Sequence, residues 1–83
     1  MDQNGLIAFD STQQALRAEM LLEYVDLEID VCPTPKEITA GCALAIAFHE
    51  EDLETVRRII RDEEVVIRGI YFKKDGKYDT IEE

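Results

Sequence analysis

Residues Leu27-Glu28-Ile29-Asp30-Val31-Cys32-Pro33-Thr34-Pro35-Lys36-Glu37-Ile38-Thr39-Ala40-Gly41-Cys42-Ala43-Leu44-Ala45-Ile46-Ala47-Phe48 decide how the rest of the chain can fold. Leu27 to Val31 alternates apolar and acidic side chains, the pattern of a strand with one buried and one wet side. From Cys42 or Ala43 to Phe48 every residue is apolar, which predicts the most deeply buried strand of the chain. The loop between them holds both cysteines and both prolines. Thr34, Pro35 and Glu37 match the N-cap, first and third positions of a helix start, so a single helical turn is predicted over Pro35 to Ile38. Gly41 can then supply a left-handed exit.

Upstream, Leu6-Ile7-Ala8-Phe9 is a short apolar run that reads as a buried strand. Ser11 and Gln14 have the spacing of a capping box, and the helix they open runs to about Val25. Downstream, Glu50-Glu51-Asp52 places negative charge at a helix start and Arg57, Arg58 and Arg61 place positive charge toward its end, as the macrodipole favours. Leu53, Val56, Ile59 and Ile60 form its buried stripe. Val65 to Phe72 reads as a fourth strand, Lys73 to Lys77 as a polar turn, and Tyr78 to Glu83 as a loose tail.

The order βαββαβ predicts an α+β, ferredoxin-like sandwich, a four-stranded antiparallel sheet with both helices on one face. Right-handed crossovers give the strand order 4-1-3-2. Cys42 then lies beside the start of the first helix, around Ser11 and Thr12. It shares the parity of Leu44, Ile46 and Phe48, which face the helices. Ala43, Ala45 and Ala47 line the opposite, open face, a surface suited to a homodimer.

With 83 residues the chain is read as one domain, ordered from about 6 to 72. The formal charge of −10 argues against nucleic acid and anionic membrane as partners. No apolar run approaches the ~20 residues of a membrane span, and Met1 to Asn4 lacks the basic start of a signal peptide. Cytoplasm is the expected location, where cysteines stay reduced. Nine residues separate Cys32 from Cys42, which is not a metal-ligand spacing, and neither a metal nor another cofactor is expected.

Chemistry is therefore sought at the thiols. Only a thiolate is a good nucleophile, and a helix N-terminus favours that form. Cys42 fits such a place, with Ser11 and Thr12 at the helix start, Lys36 in reach, and Gly41 leaving little steric cover. Pro33, Thr34, Pro35 and Glu37 stiffen the loop. Asp10, Glu37, Glu63 and Glu64 lie toward the same edge and would oppose a thiolate. A plainer reading stands beside this one: Cys42 is a small buried hydrophobe at a strand start. Cys32, whose neighbours Ile29 and Val31 point inward, points outward at its strand's end. His49 lies at the far end of the third strand and reads as a helix-entry residue.

Phe9-Asp10-Ser11-Thr12 with Ala15-Leu16-Arg17-Ala18-Glu19, then Pro33-Thr34-Pro35-Lys36-Glu37-Ile38, Cys42-Ala43-Leu44-Ala45-Ile46 and Glu51-Asp52-Leu53 resemble the selenium/sulfur carrier-like family of small bacterial domains. The resemblance runs from about Leu6 to Tyr71. It implies a carrier that holds sulfur or selenium as a persulfide or perselenide on Cys42. It also implies a partner, a cysteine desulfurase-like donor or other thiol protein. In this chain Thr39-Ala40-Gly41 and Ala43 replace the serine-rich approach and following glycine of the family pattern. Cys32-Pro33-Thr34-Pro35 separately resembles the Cys-Pro-x-Pro motif of sulfur-relay proteins, where it opens a long helix. Two rival functions remain: a non-catalytic dimeric binding or regulatory module, and a thiol redox switch in which Cys32 and Cys42 form a transient disulfide.

Overall fold

The computed structural model describes residues 3–82. Strand β1 spans Gly5–Ala8, helix α1 Thr12–Tyr24, β2 Ile29–Pro33 and β3 Leu44–Phe48. A 3-10 turn over Glu50–Asp52 leads into α2, Leu53–Asp62, followed by β4, Gly69–Lys74, and β5, Lys77–Glu82. The five strands form one sheet in the order β2-β3-β1-β4-β5, and every pairing is antiparallel. The first four strands thus take the order that right-handed crossovers require. Among the described residues no helix is long and apolar enough to cross a membrane.

The sheet has five strands rather than the four expected, because the chain past Lys74 is not a loose tail. Asp75 (φ 52°) and Gly76 (φ 78°) both take the left-handed backbone that a two-residue hairpin turn requires. The turn sends Tyr78 and Thr80 back opposite Lys73 and Tyr71. A register shift at Ile70/Tyr71 absorbs one residue. Glu82 is fastened to α2 by a hydrogen bond of 2.7 Å from Arg57 Nε. Residue 83, the last of the predicted tail, lies outside the described residues. β4 also starts later than expected: Val65 turns into the core, and pairing begins only at Gly69.

β1 lies in the middle of the sheet and is buried along its whole length. Ile7 stands opposite Ile46 on one side and Ile70 on the other, and this row carries the helices. Ala15, Ala18 and Leu22 of α1 and Val56 and Ile60 of α2 pack against it, with Phe9 and Phe48. Each fully buried Ile, Leu or Phe contributes roughly 1.5–3 kcal/mol by leaving water. Gly5 lets the Phe48 ring lie flat across β1, since a Cβ there would meet the ring at 2.5 Å.

The second face is not the open surface that the alanine pattern predicts. Leu6, Ala8, Ala45 and Tyr71 are all buried there beneath Ile38, which the loop after β2 carries under the sheet. Ala45 is 0% exposed, Ala47 is half-buried, and only Ala43 is open. The small side chains of Ala8 and Ala45 leave room for Ile38, and burying an isoleucine holds the loop against an otherwise wet face.

Candidate functional site

The end of β1 organises the site. Phe9 O accepts the backbone N–H of Cys42 at 3.0 Å, and Asp10 Oδ1 accepts that of Gly41 at 2.6 Å. Gly41 lies so close to Asp10 that a Cβ would meet its carbonyl oxygen at 3.0 Å and its Cα at 3.3 Å. Close approach, not a left-handed backbone, explains this glycine: among the described glycines only Gly76 has positive φ.

These bonds place Cys42 in the helix-side core at 5% exposure. Its sulfur lies 3.4 Å from Thr12 Oγ1, in the first turn of α1, and 3.3 Å from the backbone N of Leu44, whose N–H donates to it. Behind it, Thr34 Oγ1 donates to the Cys42 carbonyl at 3.1 Å, and the Thr34 N–H donates to Ala43 O at 2.8 Å. The sulfur is therefore held by a hydroxyl and a backbone amide, beside the first turn of a helix, in a largely buried place.

Other expected contributors stand elsewhere. Ser11 is the N-cap of α1 by position, but its side chain makes no capping bond. Gln14, the other half of the supposed capping box, instead accepts the Val66 N–H at 3.1 Å. Lys36 is exposed, and among the described residues its side chain makes no ion pair or hydrogen bond. The cation beside this loop is Arg68, just before β4. Its Nε donates to Thr39 O at 3.1 Å and a terminal nitrogen lies 3.6 Å from Asp10 Oδ2. Asp10 and Arg68 are thus joined, and Glu63 lies 3.9 Å from Arg17. The antiparallel partnership of β1 and β4, which puts Arg68 N–H on Ala8 O at 2.7 Å, was the signal for Arg68.

The predicted helical turn is one Pro35–Ile38 hydrogen-bonded turn, with the Ile38 N–H on Pro35 O at 3.1 Å. Thr34 Oγ1 accepts no N–H of this turn; its hydroxyl instead donates to the Cys42 carbonyl. Glu37 and Pro33 are exposed, and Pro33 closes the edge strand β2, where a missing N–H costs least. Cys32 and Pro33 lie inside this strand, so the Cys-Pro-x-Pro run opens no helix here. Cys32 stands opposite Ala45 and packs on the second face, away from Cys42. Burial first, and Asp30 second, push its thiol above the usual cysteine range, which keeps it protonated. His49 begins the 3-10 turn and pairs with Glu28, at the end of β3 away from Cys42. Among the described residues no group of three or more His, Cys, Asp or Glu is placed to hold a metal ion.

Fold and site together define a small α+β domain that seats one cysteine sulfur beside the first turn of a helix. The chain belongs to the family described as "Putative Se/S carrier protein-like", which matches residues 4–72. It is also 34% identical over 65 residues to an uncharacterized protein of Methanocaldococcus jannaschii, MJ0011. That alignment takes in 78% of this chain, which spans about a third (32%) of the relative's length. No solved structure matches the chain.

Proposed function

We propose that the chain carries sulfur or selenium on Cys42, as a persulfide or perselenide, in the cytoplasm. The observation that carries this reading is the seat of the sulfur between Thr12 Oγ1 and the Leu44 N–H. Family membership supplies the cargo class. The Leu44 N–H donates to the sulfur, and the Thr12 hydroxyl, which can donate or accept, donates once the sulfur is a thiolate; hydrogen bonds to an ionised acceptor are about twice as strong as neutral ones. The Cys42 thiolate attacks the outer sulfur of a donor protein's persulfide. A new S–S bond forms on Cys42, the donor's S–S bond breaks, and the electron pair leaves with the donor's thiolate. With a perselenide donor the same displacement leaves Cys42 as S–SeH. The partner is a cysteine desulfurase-like protein or another persulfide-bearing thiol protein.

The test is intact-protein mass spectrometry after incubation with a cysteine desulfurase and cysteine. Wild type and Cys32→Ser gain one reducible sulfur, and Cys42→Ser gains none. Failure of every folded variant to load, under conditions that load an established carrier, overturns the reading.

A further inference from the structure

A carrier thiol must meet another protein's sulfur, yet Cys42 is 5% exposed. The chain around it suggests how the two requirements are met. Residues 35–43 lie outside the sheet, between β2 and β3, and the loop they form is closed at its base by the Thr34 N–H on Ala43 O. Few groups tie this loop to the rest of the fold. Asp10 holds Gly41, Arg68 holds Thr39 and pairs with Asp10, Phe9 O holds the Cys42 N–H, Thr12 Oγ1 meets the Cys42 sulfur, and Ile38 is buried at 7% exposure.

The ties made by the side chains of Asp10 and Arg68 share one property. The Gly41–Asp10 and Thr39–Arg68 bonds are solvent-exposed, and the side chains of Arg68 and Asp10 are each 48% exposed. Water competes for bonds of this kind, so each is weak alone and easily broken. By contrast the rows beside the loop, Ile7, Ala8, Ala45 and Ile46, are fully buried. A segment with weak exposed ties next to a rigid core opens before the core does.

We propose that Asp10 and Arg68 are positioning residues that gate Cys42. Together they fasten the thiol-bearing loop to the end of β1, and a partner reaches the sulfur when that fastening releases Gly41 and uncovers Cys42. The proposal rests on Cys42 being the carrier thiol, but the gate can be tested without any cargo.

The experiment is the rate of Cys42 alkylation by iodoacetamide in a Cys32→Ser background, with amide exchange at Ile7 and Ile46 as the measure of core opening. Arg68→Ala removes the bond to Thr39 and the pair to Asp10, and labels roughly three- to tenfold faster, the effect of losing about one exposed charged hydrogen bond. Arg68→Lys keeps a cation for Asp10 and falls between Arg68→Ala and the parent. Asp10→Asn, which still offers an oxygen to Gly41, falls there too. Ile38→Ala tests the apolar tie separately and also accelerates labelling. Core exchange stays unchanged in Arg68→Ala and Arg68→Lys. The gate is overturned if labelling does not change, or if it rises only in step with core exchange. Faster labelling in variants that never load sulfur would remove the carrier reading and leave the gate. Normal loading with unaltered labelling would do the opposite.

Discussion

Cys32 and Cys42 are close in sequence but lie on opposite sides of the sheet. Cys32 forms a rung with Ala45 and packs with Ile38 and Ala40, while Cys42 sits with Ile7, Phe9 and Ile46 on the helix side. A disulfide requires Cβ atoms that face each other within ~4.5 Å, and here a layer of backbone stands between the side chains. Under mild oxidant, the folded monomer should therefore form no intrachain bridge. Intact mass after alkylation in denaturant should count two free thiols. A bridged monomer whose core amides remain protected would show that the thiols meet in the native state and would restore the redox switch.

The covering of the second face makes a different prediction for Ala45. This residue is 0% exposed beneath Ile38, whereas Ala43 is open to solvent. Ala45→Glu places a carboxylate with no partner in an apolar pocket, and should cost about 3 kcal/mol or more. That is a large part of the ~5–15 kcal/mol holding an ordinary domain together. Ala43→Glu should stay within about 0.5 kcal/mol of wild type. Urea unfolding distinguishes the two. If Ala45→Glu is as stable as wild type and changes only the state of association, the face is an assembly surface.

The parts legible in the sequence were those set by periodicity and by handedness. Alternation in Leu27–Val31 and the apolar run after Cys42 located two strands, and crossover rules fixed their order around β1. The same rules brought Cys42 to Thr12. What escaped depends on contacts between distant segments, which leave no local pattern. Thr34 looks like an N-cap, but its hydroxyl accepts no N–H of the turn and donates to the Cys42 carbonyl across the loop. Gly41 looks like a helix exit, but it is small because Asp10 lies against it. Lys36 is the nearer cation along the chain, while Arg68 arrives through the β1–β4 pairing. The hairpin that makes β5 had a local signal in Asp75-Gly76, and the run after it was too polar to be read as a strand.

A pH-dependent contact lies at the far end of β3. His49 Nε2 lies 2.7 Å from Glu28 Oε1, and this bond ties the approach to β2 to the residue after β3. The Glu28 hydrogen bond raises the His49 pKa above its ordinary value; burial works against it, and its Nδ1 is buried without a hydrogen-bond partner. The net shift is upward, so the folded state holds this proton more tightly than the unfolded chain does. The associated stability is fully present below the unfolded value of ~6.5. It is lost as pH rises through the higher folded value. Wild type should thus lose a component of its stability as pH rises from about 6.5 through the higher folded value. Glu28→Gln, which keeps an acceptor but removes the charge, should flatten that dependence, and His49→Gln should abolish it. Urea midpoints measured across the range provide the check. A dependence of equal size and sign in His49→Gln would assign it to other groups.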